Sequence, residues 1–318
     1  MLLSICHKTE LGYSEPISES VMELRVMPRN DARQTLRSFE LDISPEAGLF
    51  QYGDWQGNLA HCFSVLEPHD RLVIVASSTV ETHTRKLRVQ DLPDTLPLSG
   101  IGHRLEDMLL PHEAVLRDPR LVQFAEQTGI AAERRLSTVL GVVTTRLGEL
   151  VTYAKGVTST RSSVSDVLDR GKGVCQDYAH VAIALLRMLG IPARYVSGYL
   201  YRSEFTELET HAWVDAFVPS VGWLGIDPTH GELAGDGHVA VAVGRSYADV
   251  PPNRGVYKGT ALEQMHVSVR IQKASEPLEA PAPPPLGLAA RFFRNRLQRE
   301  RRVDLRTLEQ QQQQQQQQ

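Results

Sequence analysis

Residues 171–190, GKGVCQDYAHVAIALLRMLG, restrict the fold of this chain more than any other stretch. Two glycines flank Lys172, and a single cysteine, Cys175, follows. Ala179, Ala182, Ile183, Leu186 and Leu189 then recur at helical spacing. Gly190 and Pro192 end the run, one as a C-cap and the other as a stop. The pattern predicts a mostly buried helix with Cys175 in its first turn. Unpaired N–H groups and the helix dipole favour a thiolate over a thiol there. The same N–H groups can hold an oxyanion beside the sulfur. Taken alone, the stretch suits a buried structural cysteine better, because buried thiols are common.

The chain on either side divides by its punctuation. Up to about residue 95 it reads as short strands: Met22 to Met27, Leu36 to Ile43, Leu59 to Val65, Arg71 to Val80 and Arg85 to Val89. Turn residues such as Pro28-Arg29-Asn30 and Tyr52-Gly53-Asp54 separate them. Such spacing predicts a small antiparallel β-sandwich over residues 1–95. The stretch DLPDTLPLSGIG, from Asp91 to Gly102, is read as a linker. Helices follow. Asp118 before Pro119 marks the start of one, Ala131 to Leu147 forms a second, and Ser163 with Asp166 resembles a capping box. After Pro192 the period changes to that of strands: Ala193 to Leu200, Thr210 to Val218, Trp223 to Asp227, Val239 to Val243 and Met265 to Ile271. Helices followed by consecutive strands predict an α+β core with an antiparallel sheet over residues 96–273. Residues 274–318 read as a disordered tail. A Pro/Ala linker leads into a segment with seven arginines against Glu300 and Asp304, and nine glutamines close the chain.

Two further residues belong with the cysteine. His211 stands near the start of one core strand, and Asp227 ends the next. A hairpin between those strands brings a base and its orienting acceptor together while the sheet packs on the cysteine helix. A thiol nucleophile needs both. Trp213 shares the strand face of His211 and can screen the pair from water. Separate structural uses exist for each residue: a satisfied core histidine, and an aspartate capping the turn before Pro228. Metal ligation by Cys175, His180 and His211, or by His230 with His238, lacks a CxxC, HExxH or tight His pair. GKGVC is not a phosphate-binding GxxxxGK[ST] loop. Asp177 is read as a cap of the helix start and Gln176 as structural.

The segments GKGVCQDYAHVAIALLRMLGIPARYVSGYL, THAWVDAFV and GWLGIDPTHG, in that order, resemble the core of the transglutaminase-like superfamily. The similarity is to its bacterial two-domain branch, whose N-terminal β domain the first ninety or so residues also resemble. The resemblance implies a papain-like fold with Cys175 as nucleophile, His211 as base and Asp227 as orienting carboxylate. It implies acyl transfer on peptide or isopeptide amides through a thioester, with water or an amine as acceptor. The calcium dependence of the animal enzymes has no support in this sequence, which holds no Asp/Asn-rich loop of the EF-hand pattern, and no cofactor or metal is expected. The tryptophan that animal transglutaminases carry upstream of the cysteine has no counterpart in this core. Tyr153 is the candidate for its oxyanion role. The competing reading is a non-catalytic module that binds a peptide or protein with its β domain and cleft.

Bulk properties bound the rest. A formal net charge of −4 over 318 residues points away from nucleic acid as a partner. No apolar run reaches the roughly 18 residues that span a bilayer. Three cysteines are too few for a disulfide framework, and the N-terminus has no evident signal peptide. A reducing, cytoplasmic location is the resulting expectation.

Overall fold

The computed structural model describes residues 1–83, 87–99, 101–203 and 210–274. The expected disordered tail, its arginine segment and its glutamine run lie outside these residues, apart from position 274.

The N-terminal part is a sandwich of two four-stranded antiparallel sheets. Its strands are β1 (Leu2–Ile17), β2 (Glu19–Leu24), β3 (Gln34–Ser44), β4 (Phe50–Gly53), β5 (Leu59–Val65) and β6 (His69–Thr82). Strict alternation builds β1, whose inward face carries Leu3, Ile5, His7, Thr9, Leu11 and Tyr13. Two polar residues on that face hide the alternation from a hydrophobicity reading. Residue 89, read as the end of a strand, begins a short 3₁₀ turn, Val89–Asp91, and part of that expected strand lies outside the described residues.

The core begins with helices α1 (Pro119–Gln127) and α2 (Leu136–Arg146). Asp118 caps α1 by accepting the Arg120 N–H at 2.9 Å. Strand β7 (Thr152–Tyr153), helix α3 (Val164–Arg170) and strand β8 (Lys172–Gly173) follow. The expected box at α3 is present. Asp166 N–H donates to Ser163 Oγ at 3.2 Å, and Ser163 N–H donates to Asp166 Oδ2 at 2.9 Å. Helix α4 (Cys175–Met188) opens on the cysteine and packs against β9 (Ala193–Leu200) and β10 (His211–Val218). The remaining core strands are β11 (Gly222–Asp227), β12 (Glu232–Leu233) and β13 (His238–Gly244), in a five-stranded sheet ordered β12-β11-β10-β9-β13. Ala179, Ile183 and Leu186 of α4 are fully buried against this sheet. Each large aliphatic side chain so buried stabilises the fold by about 1.5–3 kcal/mol. The fold is therefore mixed α+β, with helices on an antiparallel sheet behind an N-terminal β domain.

The last two strands depart from the expected division. Strand β14 (Asn253–Lys258) pairs antiparallel with β2, and β15 (Glu263–Lys273) pairs antiparallel with β1 along its length. Both belong to the N-terminal sandwich rather than to the core sheet. Local alternation identifies a strand but not its partner, which long-range register selects.

The two parts meet through side chains that imitate a strand edge. Gln34 bonds both backbone groups of Ala240, and Asn58 does the same to Val243, each contact at 2.8 Å. Beside them Arg33 reaches from the sandwich to the fully buried Asp215 on β10, 2.7 and 3.1 Å away. Arg194 of β9 meets the same carboxylate at 2.9 Å. The two guanidiniums hold Asp215 down at about 2 despite its burial, which pulls the other way.

Candidate active site

Helix α4 is held at its start by Asp177. The carboxylate accepts the Val174 N–H at 2.8 Å and the Thr158 hydroxyl at 2.6 Å. It thus caps the helix, as the sequence suggests, and burial pushes its pKa up. Gly173 is required by that packing, since a Cβ there would stand 2.6 Å from the Asp177 Cβ. Gln176 donates to the Thr160 carbonyl at 3.3 Å, a structural contact. The half-buried Cys175 is thereby presented at the first helical position.

His211 opens β10 and Asp227 closes β11. Their ladder ends at Val214 and Ile226, and beyond it His211 Nε2 and Asp227 Oδ2 meet at 2.8 Å. Burial lowers the proton affinity of His211. Hydrogen bonding to Asp227 and to Cys175, with the negative charge either can carry, outweighs it and raises the pKa to about 9. Asp227 is fully buried, yet its contacts with three histidines hold it far below the usual carboxylate range. Trp213 lies alongside, almost wholly buried, its ring stacked on His211 at 6.1 Å between centroids. That position depends on Gly198 in β9, where a Cβ would come within 2.7 Å of the Trp213 ring.

Cys175, His211 and His230 line one cleft of about 610 Å³, with Tyr153, Tyr195 and Tyr247 among its walls. Tyr153 is half exposed, and the pairing of β7 with β8 sets it opposite Gly173, two residues before the cysteine. His180 does not join them. It lies buried against Tyr195, accepts the Tyr247 N–H at 3.1 Å, and is lowered to about 3 by burial.

Sequence reasoning missed the company that Asp227 keeps. His230 Nδ1 lies 2.8 Å and His238 Nε2 3.1 Å from the same Oδ2 that meets His211. The only available signal was their proximity in sequence to Asp227. Among the described residues, two sets bring possible ligand atoms within 4.8 Å of one another: His211, Asp227 and His230, and Asp227, Glu232 and His238. In both sets the histidine nitrogens lie at direct hydrogen-bonding distance from Asp227 Oδ2, 2.8 Å for His211 and His230 and 3.1 Å for His238. Glu232 is paired with Arg202 at 2.6 Å. The donors fit a hydrogen-bonded carboxylate better than a metal centre.

A buried helix headed by a cysteine, laid on an antiparallel sheet that carries a hydrogen-bonded His–Asp pair, defines the papain-like and transglutaminase-like class of folds. Comparison with known proteins narrows this. Residues 3–81 match the bacterial transglutaminase-like N-terminal region, and residues 126–228 match the transglutaminase-like superfamily core. An uncharacterized protein of Mycobacterium leprae is 31% identical over 278 residues, spanning 85% of this chain and 98% of that protein. The chain belongs to the transglutaminase-like superfamily. A protein-glutamine gamma-glutamyltransferase of Pseudomonas aeruginosa is 30% identical over 156 residues, 45% of this chain and 23% of that protein. The crystal structure of a candidate cysteine protease from Cytophaga hutchinsonii has the same fold, with a TM-score of 0.71 at 22% identity over 89% of this chain and 95% of that one.

Membership supports enzymatic activity of the transglutaminase or cysteine-protease kind, on peptide or protein substrates rather than nucleic acid. No helix of the described residues is long and apolar enough to cross a membrane. The expected cytoplasmic location does not stand. The periplasmic domain of TgpA from Pseudomonas aeruginosa is among the similar solved chains (17% identical over 70% of this chain and 90% of that one, TM-score 0.32). Three unpaired cysteines do not report a compartment, because a lone thiol meets no disulfide partner on either side of a membrane.

Proposed function

We propose that the protein transfers acyl groups from peptide or isopeptide amides through a thioester on Cys175. The observation that carries the reading is His211, hydrogen-bonded to Asp227 at 2.8 Å and drawn toward protonation by both Asp227 and Cys175. In the first half-reaction Cys175 gives its proton to His211 and its sulfur attacks the amide carbonyl. The C–N bond then breaks, and His211 returns the proton to the departing amine. In the second, His211 takes a proton from water or an amine, which attacks the thioester and releases the sulfur. Asp227 holds the imidazole with Nε2 as donor, leaving its other nitrogen for the thiol. The backbone N–H at the start of α4 and the Tyr153 hydroxyl are the proposed partners of the oxyanion. Trp213 keeps water from the His–Asp bond.

Water as acceptor makes the protein a peptidase or amidase, and an amine makes it a transamidase. The Pseudomonas relative's name supports the second, and the missing upstream tryptophan leans toward the first. Incubation with a diverse peptide library and a labelled primary amine, followed by mass spectrometry, tests both. Hydrolysed or amine-labelled peptides that vanish with Cys175→Ala are expected. Folded, reduced protein that forms neither product would leave the cleft as a binding site without chemistry.

A further inference from the structure

Asp227 makes more hydrogen bonds than the orientation of one imidazole requires. Oδ2 accepts from His211, His230 and His238, at 2.8, 2.8 and 3.1 Å. Oδ1 accepts the backbone N–H groups of Thr229 at 3.0 Å and His230 at 3.3 Å. A carboxylate offers about four acceptor positions over its two oxygens, and this one meets five donors. The acyl transfer described above uses only one of the three rings.

The tautomer of His238 follows from its other partner. Gly235 N–H donates to His238 Nδ1 at 3.0 Å, so that nitrogen carries no proton. Nε2 must then be the N–H that points to Asp227, and the ring is neutral. His238 is buried at the head of β13, while the partly exposed His230 lines the cleft of Cys175. Cys175 from α4, Asp227 from β11, His230 from the turn after it and His238 from β13 face His211, and Lys155, Tyr195, Arg202 and Tyr247 line the same cleft. Glu232, paired with Arg202, stands next to Asp227 and His238.

One negative charge divided among three donors attracts each less than it would attract a sole partner. We propose that His230 and His238 are positioning residues: they hold Asp227 ionised and oriented, and by sharing Oδ2 they limit its grip on the His211 proton. The proposal rests on the reading of Cys175, His211 and Asp227 as one catalytic unit. Its benefit lies in the acid step. His211 must release its proton to the departing amine, and an undivided Asp227 would make it a weaker acid.

The test uses the full chain labelled with ¹⁵N-histidine and read by long-range proton–nitrogen NMR. In the unaltered protein His238 is expected as the Nε2–H tautomer. The His211 titration midpoint should rise by about one pH unit in His230→Ala and in His238→Ala. It should stay near the unaltered value in His238→Gln, whose amide N–H replaces Nε2–H. The alkaline limb of kcat/KM should move with the midpoint, which a loss of packing alone would not cause. A His238 ring found as Nδ1–H overturns the proposal, as does a His211 midpoint that moves in none of the folded variants. Should His238→Ala fail to fold, His230→Ala decides, since that side chain is partly exposed. The titrations need no turnover. Unmoved midpoints with acyl transfer intact remove the positioning roles alone. Moved midpoints with no acyl transfer on any amide remove the catalytic reading, and the positioning roles with it.

Discussion

Gln34 meets Ala240 as one strand meets another: its Nε2 donates to the Ala240 carbonyl and its Oε1 accepts the Ala240 N–H, both at 2.8 Å. Gln34 is buried, so neither backbone group has ready access to water once the side chain is removed. The carbonyl keeps the Arg29 N–H at 2.9 Å, so Gln34→Ala should cost about 1–3 kcal/mol for the Ala240 N–H left unpaired. Urea denaturation should show a lower midpoint with an unchanged slope. A cost below about 0.5 kcal/mol would mean that water replaces the amide freely.

Asp215 makes a second, charged link across the same junction. Arg33→Ala removes one of its two guanidinium partners and leaves Arg194. Loss of a buried charge's sole partner costs about 3–5 kcal/mol. A partner remains and Arg33 is itself about one-third exposed, so about 2 kcal/mol is expected here. Thermal melts of Arg33→Ala and Arg33→Lys check this. Lys should recover only part of the loss, because it cannot form the two-pronged contact.

The proposed catalytic unit predicts unequal losses. Cys175→Ala should abolish turnover with the fold intact. His211→Ala should lower kcat/KM by about 10²–10⁴-fold and slow iodoacetamide alkylation of Cys175 at neutral pH. Asp227→Asn should lose less than His211→Ala, since it alters the imidazole's orientation rather than removing the ring. Full activity in Asp227→Asn across the pH range would mean that the third member is misassigned.

The same pair has a pH signature. His211 is raised from 6.5 to about 9, so its contribution to folding is complete below about 6.5 and is lost as pH rises through about 9. Asp227 is shifted downward. Its contribution is present above the ordinary carboxylate value and persists into acid until the folded-state value is passed. Stability should thus fall between pH 7 and about 9.5, and His211→Gln should flatten that fall. Chemical denaturation at a series of pH values measures it.

The cysteine helix was legible because every signal for it is local: glycines, a cap, helical spacing and a stop. The alternation at Met22, Leu24 and Val26, and the whole of β5, were legible for the same reason. Strand β1 was not, because His7 and Thr9 occupy inward positions and each finds a polar partner: His7 Nδ1 lies 2.8 Å from the Tyr199 hydroxyl, and Thr9 Oγ1 lies 3.3 Å from His7 Nε2. At the site, Cys175, His211 and Asp227 stood out by residue type and order. His230 and His238 did not, because their convergence on one oxygen depends on how the turn after β11 and the start of β13 fold back. No spacing rule encodes that.

The return of β14 and β15 to the sandwich makes the whole catalytic core an insertion between two legs of a single domain. A cut in the core would therefore not free the N-terminal domain from the rest: the fragments stay joined by two ladders, β1 with β15 and β2 with β14. Ending the chain at residue 95 is a different matter. It strips an outer strand from each sheet and turns the protected flanks of β1 and β2 into open templates for intermolecular pairing.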